Sequence, residues 1–169
     1  MRIGIGYDVH RLSRHGGALK LGGVSIPHGR GLSGHSDADV LLHAVADALL
    51  GAISAPDLGE LFPPSDARYQ GQDSRWFVEQ AYARVRKAGF LLGNLDATVI
   101  ADAPKLTPYK LKMRRAIAAL LDVPSSAVSV KAKTTEGFSP AKQGIAVHAV
   151  VLLIGEGLRV KGVGKKNKV

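Results

Sequence analysis

Residues Arg2 to His10, Arg-Ile-Gly-Ile-Gly-Tyr-Asp-Val-His, alternate in character position by position. Side chains along a strand point to opposite faces in turn, so Ile3, Ile5, Tyr7 and Val9 share one face and Gly4, Gly6, Asp8 and His10 the other. No other stretch constrains the fold as much. It demands a strand near the N-terminus, one face of which is left open at its glycines and ends in a carboxylate beside an imidazole.

The second constraint lies between Asp37 and Ile53, where Val40, Leu41, Ala44, Val45, Ala48, Leu49 and Ala52 recur at i, i+3, i+4 spacing and predict a helix. Ser36 or Asp37 is placed to cap its start. Asp39, His43 and Asp47 are four apart and fall on the opposite stripe. His43 sits within Leu41-Leu42-His43-Ala44-Val45, an apolar setting that argues for a ligating rather than an idle imidazole. With Asp8 and His10 it suggests a metal site, and because the chain has no cysteine, imidazole and carboxylate have to supply it. Asp39 and Asp47, one turn either side of His43, are expected to orient its ring.

The rest of the chain frames these groups. Ala18 to Leu21 and Val24 to Ile26 flank Gly22-Gly23, a dipeptide suited to a two-residue hairpin turn. Pro27 to Gly34 reads as a glycine-rich loop leading to His35. Ala55 to Asp66 is punctuated by Pro56, Pro63 and Pro64 and reads as an ordered loop carrying Asp57 and Asp66. Asp73 or Ser74 caps a helix running to about Lys87, with Trp76, Phe77, Ala81, Val85 and Ala88 inward and Gly89 as its stop; this helix reads as structural. Asn94 to Ala101 is a strand, Ala103 to Thr107 a proline-stiffened exit bearing Lys105, and Tyr109 to Leu121 a further helix. Val128 to Lys133 and Ile145 to Ile154 are strands, separated by the polar turn Thr134-Thr135-Glu136-Gly137. This order predicts a single α+β domain over residues 1–155, a mainly β sheet with helices packed on one face. Residues 156–169 form a basic tail expected to be flexible.

The chain of 169 residues carries a formal charge of +9, but the tail concentrates much of the excess. Few aromatics are available for stacking bases, so the charge suits a small polyphosphate better than nucleic acid. Apolar runs fall short of the roughly 18 residues that a spanning helix needs, and Met1-Arg2 leads directly into the strand, so no membrane association is expected and the cytoplasm is the expected location.

Taken in order, Gly4-x-Gly6-x-Asp8-Val9-His10, His35-Ser36-Asp37-x-Asp39 with His43, Asp57-Leu58-Gly59 with Phe62-Pro63, Ala103-Pro104-Lys105 and Lys133-Thr134-Thr135-Glu136 form a specific set. In order and spacing it resembles the 2-C-methyl-D-erythritol 2,4-cyclodiphosphate synthase family of non-mevalonate isoprenoid biosynthesis, up to about Ile154. The resemblance implies a homotrimer with active sites between subunits. It implies a reaction in which the 2-phosphate of a CDP-linked methylerythritol attacks the β-phosphorus, expels CMP and closes a cyclodiphosphate. Zn²⁺, or another divalent ion, is implied at Asp8, His10 and His43, and Mg²⁺ or Mn²⁺ with the substrate diphosphate at Glu136. His35 and Thr134 are implied as the catalytic groups. Ser36, Asp57, Leu58, Gly59, Phe62 and Asp66 are implied to hold the methylerythritol phosphate. Ala101, Ala103, Pro104, Lys105, Leu106 and Thr107, with Lys133, Thr135 and Phe138 beside them, are implied to hold the cytidine end from the adjacent subunit.

The chain departs from the family at several points. Phe62-Pro63-Pro64-Ser65-Asp66 stands where Phe-Pro-Asp-x-Asp is common, so Pro64 replaces a carboxylate. The segment after Glu136 is contracted to Gly137-Phe138. Ala141 and His148, with Lys142 one place along, replace an arginine and a glutamate that face the trimer's central cavity, which predicts either His148 side chains gathered near the axis or, as an equal alternative, a His148 hydrogen-bonded within the sheet. A zinc-dependent phosphohydrolase acting on a nucleotide-linked substrate is the alternative reading, since the same ligands serve to activate water.

Overall fold

A Cβ built on Gly4 would lie 2.0 Å from the Ala48 carbonyl oxygen, and one on Gly6 2.0 Å from that of Ala44. The glycine face of the first strand, β1 (Arg2–Arg11), is therefore pressed backbone to backbone against the helix α1 (Val40–Ala52). The computed structural model describes residues 1–13, 17–137 and 144–158. Phe138, Ala141, Lys142 and the tail beyond Leu158 lie outside the described residues.

The main sheet has the strand order β1, β6 (Gly144–Gly155), β4 (Phe90–Ile100), β5 (Val128–Lys133). β6 runs antiparallel to both its neighbours, while β4 and β5 are parallel. Hence β1, β4 and β5 all point the same way, and their C-terminal ends lie at one end of the sheet. α1 packs across β1 and β6, and α3 (Ser74–Lys87) covers the other side of α1. α4 (Lys110–Leu120) packs against β5. Every residue of α1 is buried except His43, Asp47 and Gly51, as expected of a helix apolar nearly all round.

The expected α+β class is observed, and the helix and strand order is the one predicted. β2 (Leu19–Leu21) and β3 (Val24–Ile26) form the hairpin, Gly22 and Gly23 taking φ of 60° and 74° as its turn requires. Several details differ. α1 starts at Val40 and is capped by Asp39, whose carboxylate accepts from the Leu42 amide, not by Ser36 or Asp37. β4 begins earlier than Asn94, at Phe90, and absorbs an irregularity at Gly93, which the alternation rule cannot follow. A single-turn helix, α2 (Leu58–Leu61), occupies the proline-rich loop. On α3, Val78 and Tyr82 are buried, whereas Trp76 is only half-buried and Ala88 is exposed.

The largest surprise is on the far face of the sheet. Ile3, Ile5, Tyr7 and Val9 are 72%, 67%, 53% and 55% exposed, and Val150 on β6 is 41% exposed. His148 lies on the same exposed face, its ring centroid 4.8 Å from that of Tyr7. In the isolated chain the more apolar side of β1 is the one that meets solvent.

Candidate metal centre and active site

Asp8 and His10 leave the end of β1 on its helix-facing side, where His43 projects from α1. One ligand atom from each of the three lies within 4.8 Å of the others. The Nδ1 atoms of His10 and His43 approach the same oxygen, Asp8 Oδ2, at 3.1 and 3.2 Å. His43 Nδ1 is hydrogen-bonded there, but His10 Nδ1 is buried without a hydrogen-bond partner. Such an orphaned nitrogen is costly unless something else satisfies it. A carboxylate and two imidazoles converging with a lone pair to spare are the donor set that Zn²⁺ accepts, so the residues fit the expected ion. Burial raises the Asp8 pKa, but the close approach of the His10 ring and the hydrogen bond from His43 outweigh it and hold the carboxyl well below the usual range. Gly34 makes room for this cluster, since a Cβ there would lie 3.1 Å from His10 Nε2.

The remaining nitrogen of His43 is held by hydroxyls. Nε2 lies 3.0 Å from Ser74 Oγ and 3.1 Å from Ser36 Oγ. Ser74 Oγ in turn hydrogen-bonds Asp37 Oδ1, which also accepts from the Ser74 amide at 3.1 Å. This corrects two expectations. Asp39 does not orient His43: it is fully buried and accepts from the amides of Gly22, Gly23 and Leu42 at 2.8, 2.7 and 3.1 Å, tying the hairpin to α1. Burial pushes its pKa up against the pull of those amides. Asp47 accepts from the Leu58 amide at 2.8 Å and so holds α2 rather than an imidazole. Nor is α3 purely structural, because its first residue touches the metal cluster. Ser74 carries no local signal of this role, as His43 is 31 residues away in sequence.

The cluster opens into a cleft of about 710 Å³. His35, Ser36, Leu58, Gly59 and Phe62 line it, as the sequence led us to expect, and Arg11, Ser33 and Tyr69 join them. Arg11, which directly follows the Asp8-Val9-His10 motif, adds a cationic group that the motif alone did not flag. The loop bearing His35 is fixed from behind, since His35 O accepts from the Gly71 amide at 2.7 Å and the Asp37 amide donates to Gln72 O at 3.1 Å. Phe62 packs edge-on against Tyr69 and Trp76, making one wall aromatic. Asp57 and Asp66 do not line the cleft. Asp57 caps α2 through the Glu60 amide at 2.8 Å, and Asp66 pairs with Arg68 at 2.5 Å; both shape the loop instead. Pro64 lines the cleft directly.

The other predicted residues form a second cluster at the ends of β4 and β5. The Ala101 amide donates to Lys133 O at 2.9 Å, and Thr134 Oγ1 donates to Glu136 Oε1 at 2.5 Å. Asp102, which lies between Ala101 and Ala103 but was not singled out in the sequence, accepts from the Thr135 amide and hydroxyl at 2.8 and 2.9 Å and joins the two loops. Glu136 adopts φ of 51°, a strained value for a residue with a Cβ, as functional loops often show. Ala101 and Leu106 are buried and anchor the exit of β4; Ala103, Lys105, Thr107, Lys133, Thr134 and Glu136 are exposed. None of this cluster lines the cleft containing the metal ligands.

The YgbB family model matches residues 1–154. A 2-C-methyl-D-erythritol 2,4-cyclodiphosphate synthase from Moorella thermoacetica is 55% identical over 91% of this chain and 95% of its own. Among solved structures, a CDP-bound form of such a synthase is 37% identical, with a TM-score of 0.84 over 90% of this chain and 100% of its own. The bifunctional IspDF of Campylobacter jejuni is 40% identical with a TM-score of 0.87, and this chain spans 43% of that longer protein.

Proposed function

The chain belongs to the YgbB family, and we propose that it converts 4-diphosphocytidyl-2-C-methyl-D-erythritol 2-phosphate to 2-C-methyl-D-erythritol 2,4-cyclodiphosphate and CMP. It is a cyclodiphosphate-forming lyase of isoprenoid biosynthesis, as its relatives are. The observation that carries the reading is the convergence of Asp8, His10 and His43 at the mouth of a cleft lined by the family's substrate motif.

The reaction brings two anionic phosphates together, so positioning and charge neutralisation are the main tasks. A 2-phosphate oxygen forms a bond to the β-phosphorus while the bond from that phosphorus to the oxygen of CMP breaks, and no water enters. Asp8, His10 and His43 would hold a divalent ion, which would polarise a phosphate oxygen. Ser36 and the Leu58–Gly59 backbone orient the methylerythritol phosphate, with Arg11 offsetting its charge, and His35 and Thr134 stabilise the transition state. The Phe62 wall excludes water from the attacking oxygen. Lys105, Lys133 and Thr135 hold the cytidine diphosphate end, and Glu136 would hold a second ion, Mg²⁺ or Mn²⁺, to offset diphosphate charge. We place this work in the cytoplasm; among the described residues no helix is long and apolar enough to cross a membrane.

The two clusters are brought together in a homotrimer. They lie at the same end of the sheet but on its opposite edges, β1 and β5, with β6 and β4 between. Three inter-strand steps of about 4.8 Å separate those edges by roughly 14 Å. A cyclic, head-to-tail assembly sets the β1 edge of one chain beside the β5 edge of the next and completes the site. The exposed apolar face of Ile3, Ile5, Tyr7, Val9 and Val150 then turns inward, with His148 toward the axis.

The test is incubation of the zinc-loaded protein with the CDP-linked 2-phosphate substrate and Mg²⁺. Equimolar CMP and cyclic diphosphate are expected. Release of inorganic phosphate without the cyclic product would favour the hydrolase instead.

A further inference from the structure

We infer that Asp37 and Ser74 form a positioning relay for His43, supplying a fixed acceptor for its Nε2–H when the Nδ1 lone pair is directed at the metal position. The inference rests on the reading of Asp8, His10 and His43 as a metal centre.

The argument is a count of protons. A serine hydroxyl has one hydrogen to donate and two lone pairs, whereas an ionised carboxylate only accepts. Ser74 Oγ lies within hydrogen-bond reach of Asp37 Oδ1, so the single Ser74 proton is directed to Asp37. Asp37 is held in that role by Lys20 Nζ at 3.1 Å on its other oxygen and by the Ser74 amide at 3.1 Å. What Ser74 Oγ presents to His43 Nε2, 3.0 Å away, is therefore a lone pair. That lone pair accepts the Nε2–H of the tautomer that ligates through Nδ1, and it opposes the Asp8 carboxylate, which at 3.2 Å from Nδ1 draws the proton to that nitrogen when no ion is present.

Ser36 is no such fixed acceptor. Its Oγ is 3.1 Å from His43 Nε2 and accepts from the Ala38 amide at 3.1 Å, but its own proton is not directed to a carboxylate. Ser36 alone would tolerate either tautomer. With the wrong one, a proton on Nδ1 would point at Asp8 Oδ2 and occupy the position the ion needs. Ser74 is fully buried at the first turn of α3, so its hydroxyl is not free to rotate toward bulk water. Metal-bound imidazoles commonly donate their second N–H directly to a carboxylate or carbonyl; here a buried hydroxyl stands between ring and carboxylate.

The test combines zinc affinity, measured by competition with a chelator, and solvent exchange of the His43 Nε2 proton, read by proton–nitrogen correlation in the zinc-loaded full-length chain. The zinc-loaded parent should show a His43 Nε2 proton protected from exchange. Ser74→Ala should weaken zinc binding by about 10- to 100-fold and speed exchange of that proton. Asp37→Ala should weaken zinc binding as well, and should have no further effect in a Ser74→Ala background, because Asp37 acts only through Ser74. A His43 Nε2 proton that exchanges in the zinc-loaded parent as freely as that of an exposed imidazole would overturn the relay whether or not the variants fold. So would a Ser74→Ala protein that binds zinc like the parent, with the metal centre left standing. An unmodified chain that binds no zinc would remove the metal centre itself and the relay with it.

Discussion

Gly6 has no side chain because there is no room for one. A Cβ would meet the Ala44 carbonyl oxygen at 2.0 Å and the Ala48 amide nitrogen at 2.7 Å, both backbone atoms that cannot rotate aside. Gly6→Ala has to push β1 away from α1, and since Asp8 and His10 ride on β1 while His43 rides on α1, the metal ligands separate. We expect a loss of about 3 kcal/mol in urea unfolding, at the upper end for overpacking, together with weaker zinc binding. An alanine variant as stable as the parent would show that the close approach is not needed. Asp39 offers a contrasting case. Asp39→Ala strands the buried amides of Gly22 and Leu42 and frees that of the exposed Gly23, at a cost on the order of 3 kcal/mol. The folded fraction should bind zinc normally, because Asp39 touches none of the ligands. Weakened zinc binding by folded protein would restore the orienting role that the helical spacing suggested.

At the scale of the element, α3 delivers Ser74 to the metal cluster, and its cap sets where that first turn lies. Asp73 accepts from the Arg75 amide at 2.9 Å and pairs with the Arg75 guanidinium, which with the amide lowers its pKa to about 2 despite some burial. A carboxyl whose folded pKa is depressed stabilises the fold above its unfolded value near 3.9, and that stability is lost as pH falls toward about 2. Because Asp73 is more than a third exposed, screening reduces the effect to about 1 kcal/mol. Asp73→Asn, which still caps a helix well, should flatten the dependence of melting temperature on pH between about 4 and 2. An unchanged slope in that window would assign the acid sensitivity to other carboxylates. α1 illustrates the other side of element-level reasoning: its period was legible, but its cap was misplaced by two residues or more. Ser36 is used instead in a turn through the Ala38 amide, and Ala38 adopts φ of 59° to allow it.

For the whole molecule, the placement of half-sites on opposite sheet edges makes a direct prediction about assembly. A His43→Ala chain keeps an intact Thr134–Glu136 cluster, and a Glu136→Ala chain keeps an intact metal cluster. Each alone should be inactive. If active sites form between neighbours in a three-membered ring, unfolding and refolding the two together in equal amounts should return about a quarter of parental activity, since one interface in four pairs the two intact halves. No recovery in mixed trimers would mean that each chain builds its site alone.

The alternation in Arg2 to His10 and the helical period around His43 determined the strand, the helix and the three groups that could hold a metal ion, because these depend on local spacing and on which side chains carry lone pairs. The hairpin was legible for the same reason, as Gly22 and Gly23 meet a local backbone requirement. Local spacing could not say which face of β1 would be covered. The glycine face won because it alone lets a helix backbone approach, leaving Ile3 and Ile5 outside. Nor could it say what holds His43 from behind. Asp39 and Asp47 have the right helical register, but hydrogen bonds are decided by distance in space, and the amides of Gly22, Gly23 and Leu58 claim both carboxylates. Only the packing of α3 against α1 brought Ser74 to that nitrogen.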